Sequence, residues 1–258
     1  MGSYISALQR LAESYRAAEA EIVAAYFEGR KGKRGHLRWL KAQAFKEYSA
    51  IRPLVEMLAR LHPYLNKEVG MPAYEELAEK LAEETRHARL IMGLLEEVVG
   101  RRLTPERLLR LPEDRKLARV RARYSKTYAG LLHGSERLTE REIRRKDEAL
   151  ERAAITLTEG GGGALYEVCG GLSGRGIEKK IAAAFREIHS DEVGHKNAGA
   201  RDLKKLVKTR RDFLRAAEII GKVSAQRLRM RNEQFGFPLS ARKIRELERD
   251  CAGSARPD

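Results

Sequence analysis

Cysteine is nearly absent from this chain of 258 residues: Cys169 and Cys251 are the only two, and they lie far apart. That excludes a disulfide framework and fits a reducing, cytoplasmic setting. Aromatic residues make up only 6 % and prolines number seven. No apolar run reaches about 18 residues, so no membrane span is expected. The opening "MGSYISALQRLAESYRAAEAE" carries charge too early and too often for a signal peptide. Alternating strand segments are missing as well. Acid is in deficit, with 37 Asp and Glu against 52 Lys and Arg, a net charge of +15. Such an excess attracts polyanions, whether nucleic acid, an anionic membrane or an acidic carrier protein, or it is simply a solvated surface. Charge alone chooses no partner.

What is present is helix-forming. Ala, Leu, Glu, Lys and Arg dominate, and apolar residues reach 42 %, enough for a substantial core. The fold class is all-α, and residues 1–258 are read as one domain. Amphipathic runs cover 3–29, 36–65 with Pro53 inside it, and 72–99, stopped by Gly100. Thr104 and Pro105 suit the start of a helix over 104–132. Ser135 or Thr139 can cap the next one, which runs through Gly160, Gly161, Gly162 and Gly163 to about 170. A turn at 170–176 precedes a long helix to about 220, with further helix over 222–250.

Three apolar stripes are interrupted by carboxylates. In 72–99 the stripe Leu77, Leu81, Glu84, Ala88, Ile91, Leu95 puts Glu84 at a core position, with His87 three residues on and on the same face. In 177–220 the stripe Ile177, Ile181, Phe185, Ile188 continues into Glu192 and His195. In 36–65 Glu47 replaces an apolar residue between Ala44 and Ala50. A buried glutamate without a partner costs several kcal/mol. A pair of divalent metals would offset all these charges at once; buried salt bridges are the alternative reading.

Spacing adds a fourth helix. Glu47 lies 19 residues before the turn near Asn66 and Glu84 lies 18 after it, so an antiparallel hairpin sets both at one height. In the second half Glu192 lies 18 residues after the turn near Gly174, and Glu159 lies 15 before it. Glu167 would miss that height by more than about 10 Å at 1.5 Å per residue, and Glu151 lies too far the other way. With 104–132 returning the chain to the other end, the expectation is a four-helix bundle with one long crossover, its core over about 36–220. Helices 3–29, 104–132 and 222–250 are accessory. Each glycine after Glu159 costs up to about 1 kcal/mol against alanine in a helix interior. Together they leave a hollow beside the site or a local bulge, with Tyr166 on the face of Glu159; a plain interruption is the other reading.

The series Glu47, "EETRH" with Glu84 and His87, Glu159, and "DEVGH" with Glu192 and His195 resembles the ferritin-like di-iron carboxylate superfamily, over about residues 36–200. The resemblance implies a ferritin-like bundle whose six donors hold two iron ions, or a Mn/Fe or di-manganese pair. It implies O₂ as co-substrate and an external electron donor. Asp191 occupies the place of an acid that holds a ligand histidine from behind, Glu83 is either that or surface charge, and His189 either flanks the site or adds a third histidine. The implied activity is an O₂-activating oxygenase or oxidase, by hydroxylation, desaturation or N-oxygenation. A peroxide- or iron-handling protein of rubrerythrin, manganese catalase or ferroxidase type is the alternative, though no Cys-x-x-Cys pair of rubredoxin type is present.

Two basic stretches bear on the substrate. Residues 201–231 hold eleven Lys and Arg against three acids, and 30–46 hold seven and no acid. A tRNA hydroxylase or a desaturase acting on an acidic carrier protein would use such a surface. A small-molecule oxygenase would not need it, and a helical nucleic-acid binder without catalysis would rely on it alone. A homodimer is compatible with the sequence.

Overall fold

The structure is a computed structural model and describes residues 2–29, 31–126, 148–159 and 162–255. Side chains are described throughout these ranges except at 2–3, 162, 192–198 and 255. The described residues form α-helices and short 3₁₀ turns, with no strand among them beyond one isolated bridge between Leu65 and Val69. The α-helices are α1 (Gly2–Glu28), α2 (Leu37–Leu61), α3 (Met71–Val99), α4 (Pro112–Tyr124), α5 (Ala149–Glu159), α6 (Gly162–Gly170), α7 (Ile177–Leu206), α8 (Arg210–Gln234) and α9 (Ala241–Ala252). None of them is long and apolar enough to cross a membrane.

Two hairpins organise the chain. Helices α2 and α3 pack along one another across a turn in which Asn66 takes a left-handed backbone at φ 60°. Helix α3 ends at Gly100, whose φ of 79° closes the helix at little cost because glycine has no Cβ. In the second hairpin α5 and α6 both pack on α7. The backbones approach closely at Gly199, where a Cβ would stand 2.7 Å from the backbone nitrogen of Leu157. Helices α3 and α7 join the two hairpins, while α1 lies over α6 and α8, and α8 covers α4 and α5.

Several expected boundaries move. The helix from 177 stops at Leu206 rather than about 220. Thr209 then starts α8 with a capping box, its hydroxyl accepting from Asp212 N–H and the Asp212 carboxylate accepting from Thr209 N–H at 2.8 Å. The expected helix over 222–250 divides into the end of α8 and a separate α9, broken at Gly236 (φ 73°). The helix expected over 104–132 is shorter: Pro105–Arg107 make one 3₁₀ turn without a side-chain cap from Thr104, and α4 begins at Pro112. Leu109 N–H donates to the Lys41 carbonyl, so this connection runs beside the start of α2. Residues 127–147, including Ser135 and Thr139, lie outside the described residues. The run expected to pass through the glycines is helical on both sides of them, as α5 and α6; Gly160 and Gly161, between the two, lie outside the described residues.

Two apolar clusters hold the elements together. One gathers Leu8, Leu11 and Ile22 of α1 with Ile155 of α5 and Ile219 and Ile220 of α8. The other gathers Trp39, Leu40, Ile91, Leu95, Leu165, Phe185 and Ile188, which ties the two hairpins together. The second cluster stops part-way along α3. His87, Ala88, Ile91, Leu94, Leu95 and Val98 are buried, whereas no residue of that helix before His87 is. The candidate ligands sit at this boundary.

Candidate metal centre

Glu47 continues the buried face of α2 begun by Leu40 and Ala44 and is 5 % exposed; His87 opens the buried face of α3 and is 1 % exposed. The turn at 62–70 brings these faces together. Glu47, Glu84 and His87 each offer a ligand atom within 4.8 Å of the others, and Glu84 is half-buried. His87 Nε2 lies 2.9 Å from Asp191 Oδ2, and Arg86 Nη2 donates to the same oxygen at 2.8 Å. Burial pushes the Asp191 carboxyl up, but the hydrogen bonds from His87 and Arg86 outweigh it and hold it below the usual carboxylate range. The other ring nitrogen, Nδ1, is buried without a hydrogen-bond partner and lies 4.0 Å from Glu47 Oε2.

Glu47 Oε1 accepts from the Gln43 amide and, at 3.3 Å, from the Tyr166 hydroxyl. Gln43 is itself held: its Oε1 accepts from Gln234 Nε2 at 2.9 Å and from Arg231 Nη1 at 3.4 Å. Arg231 Nε donates to Glu19 Oε1 at 2.6 Å, with both side chains almost wholly buried. A chain of hydrogen bonds therefore runs from α1 through α8 to the carboxylate of α2. Sequence reasoning missed Glu19, Gln43, Arg231 and Gln234. The available signal was a polar residue at a buried helical position in each case, which Glu- and Gln-rich helices hide.

Glu47, Glu84, Glu159 and Tyr166 all line one cavity of about 440 Å³, so Glu159 faces the same space as the first three ligands. Glu159 does not join their cluster, and Arg121 Nη2 lies 3.9 Å from its Oε1. Glu167 is exposed and pairs with Arg16, and Glu151 pairs with Arg215 at 3.3 Å. Backbone positions 192 and 195 fall on α7 within about one turn of Asp191, but the side chains of Glu192 and His195 lie outside the described ones. His189 has a buried Nδ1 without a hydrogen-bond partner and faces Gly163, whose absent Cβ would meet its Cε1 at 4.0 Å. It is not among the clustered ligands. Glu83 is half-buried and its charge acts on Arg86. Gly163 does not line the cavity, Gly162 is described by its backbone alone, and Gly160 and Gly161 lie outside the described residues.

Cys169 and Cys251 are both buried, and burial pushes both thiols up, away from the reactive thiolate. The basic stretch 201–231 is not all surface: Arg227 and Arg231 are 6 % and 3 % exposed, and Arg229 pairs with Glu248 at 2.7 Å. No family model, curated protein or solved structure matches the chain.

Proposed function

We propose that Glu47, Glu84 and His87 hold a transition-metal ion, and that the chain is an oxidoreductase using a dinuclear iron or manganese–iron centre on a ferritin-like arrangement of α2, α3, α5 and α7. The observation that carries this reading is His87. One ring nitrogen is fixed by Asp191, and the other is buried, orphaned and turned toward two carboxylates. That is the donor set and the backing hydrogen bond that a metal-binding imidazole uses.

Each protein group has a definable task. Asp191 sets the tautomer of His87 so that Nδ1 carries the lone pair. Gln43 and Tyr166 both bind Oε1 of Glu47, which leaves Oε2 toward His87. Glu159, Glu192 and His195 would provide the second set of donors. A metal pair held there would supply the electrons for O₂ activation, and the protein supplies the shaped cavity around it. A cavity of about 440 Å³ at the ligands favours an organic substrate over bare iron handling.

The test is direct. The chain is loaded with Fe(II) without oxygen, desalted, analysed for metal by plasma mass spectrometry, and mixed with O₂. Retained metal and O₂ uptake in proportion to chain are expected, both lost in His87→Ala. Equal metal retention by wild type and a Glu84→Ala/His87→Ala double variant would refute the site.

A further inference from the structure

The cavity beside the candidate ligands is lined by seven cationic side chains against four carboxylates, Glu47, Glu84, Asp114 and Glu159. Two of these cations, one turn apart on α8, are treated differently. Arg231 is paired with a carboxylate and two amides, with Glu19 on its Nε and Gln43 and Gln234 on its Nη1. Arg227 is as deeply buried, 6 % exposed, yet it makes a single hydrogen bond, from Nη2 to the neutral Thr158 hydroxyl at 3.2 Å. Its Nε has no partner, and among the described residues no carboxylate reaches ion-pairing distance. Lys46, across the cavity on α2, bonds to the Met230 thioether and, at 2.9 Å, to the Gln234 amide. Burying a guanidinium without an anion is costly, and a fold with no use for it would replace it with an apolar residue.

The two cations also sit next to the proposed ligands. Lys46 adjoins Glu47, and the Thr158 that binds Arg227 adjoins Glu159. If Glu159 binds metal, its charge is engaged there and Arg227 is compensated even less. Further along α2 the wall turns apolar, with Leu54 and Met57, joined by Leu77 of α3. Met57 is 11 residues beyond Lys46, about 16 Å along the helix.

We propose that this cavity binds an organic anion, a molecule with a carboxylate or phosphate group and an apolar body. Arg227 and Lys46 take the anionic group, and the body lies along Leu54, Met57 and Leu77. That the bound molecule is the substrate rests on the oxidoreductase reading; the binding itself does not. Because Lys46 and the Thr158 that binds Arg227 each adjoin a ligand position, oxidation falls near the anionic end of the molecule rather than at its far end.

The test uses the full chain without added metal, titrated by calorimetry and followed by thermal melting, with octanoate, octyl phosphate, octanol and octylamine as probes. One of the anions is expected to raise Tm and to bind at least about tenfold tighter than octanol, with no shift from octylamine; the stronger anion identifies the head group. Arg227→Met is expected to raise the Tm of the ligand-free chain, since it removes a buried charge, and to lose at least about tenfold in anion affinity. Arg227→Lys should recover part of that affinity, and Lys46→Met should weaken it independently. Octanol binding as tightly as the anions, or anion affinity unchanged in both Arg227→Met and Lys46→Met, overturns the proposal. So does an Arg227→Met chain that melts below the parent while Lys46→Met binds normally, because the guanidinium is then structural. Metal content measured on the same samples separates this outcome from failure of the metal site.

Discussion

The two carboxylate-bearing hairpins solve the same burial problem in different ways. On α2 and α3, Glu47 is held by an amide and a phenol, and the ring facing it keeps one nitrogen bare. On α5, Glu159 opens on the same cavity but has the Arg121 guanidinium at 3.9 Å, and its charge also acts on Arg227. The first carboxylate is steadied by neutral hydrogen-bond donors, whereas the second has a guanidinium close by. Burial at a helical core position is thus a weaker criterion for a ligand than the chemistry of what surrounds it.

The largest expected effect separates the hairpins outright. His87→Ala should weaken metal at the first hairpin by more than about a hundredfold, read as metal per chain after desalting, while Glu159→Ala should keep that site loaded. A Glu159→Ala chain that loses all metal would put both hairpins on one footing. Next comes their mechanical link. Phe185 of α7 is fully buried, with its ring 5.8 Å from both Trp39 of α2 and Tyr166 of α6. Phe185→Ala should cost about 3–5 kcal/mol in chemical denaturation. Asp191→Asn tests the polar link, in which α7 positions a residue of α3. It should weaken metal binding by roughly ten- to a hundredfold, about 1.4–2.8 kcal/mol, with little change in unfolding midpoint. The smallest effect lies outside both hairpins: Thr209→Ala removes the cap of α8 and should cost about 1 kcal/mol while leaving metal content unchanged.

The all-helical fold and the first hairpin were legible from residue order. The period of Leu40, Ala44 and Glu47 and of His87, Ile91 and Leu95 reports burial directly, and a short turn fixes the relative height of the two helices. The break at Leu206 was also written in the chain, because Thr209-Arg-Arg-Asp212 is a capping-box pattern, but unbroken amphipathic periodicity across it hid the stop. Arg227 was misread for a different reason. Its period on α8 matches Ile220 and Val223 as well as its basic neighbours, and composition counted it as surface. A buried cation is invisible to charge counting. The network of Glu19, Gln43, Arg231 and Gln234 was illegible because its members come from three helices, and tertiary pairing leaves no mark in local spacing.

That network gives the first helix a stake in events far from it. Glu19 is the only carboxylate among the described partners of Arg231, and Arg231 stands two hydrogen bonds from Glu47. Cutting the chain after residue 20 would strand a naked guanidinium at the back of the cavity. A shortened protein would therefore lose the support behind Glu47 together with part of its cohesion, so α1 is not an appendage that can be trimmed without consequence for the site.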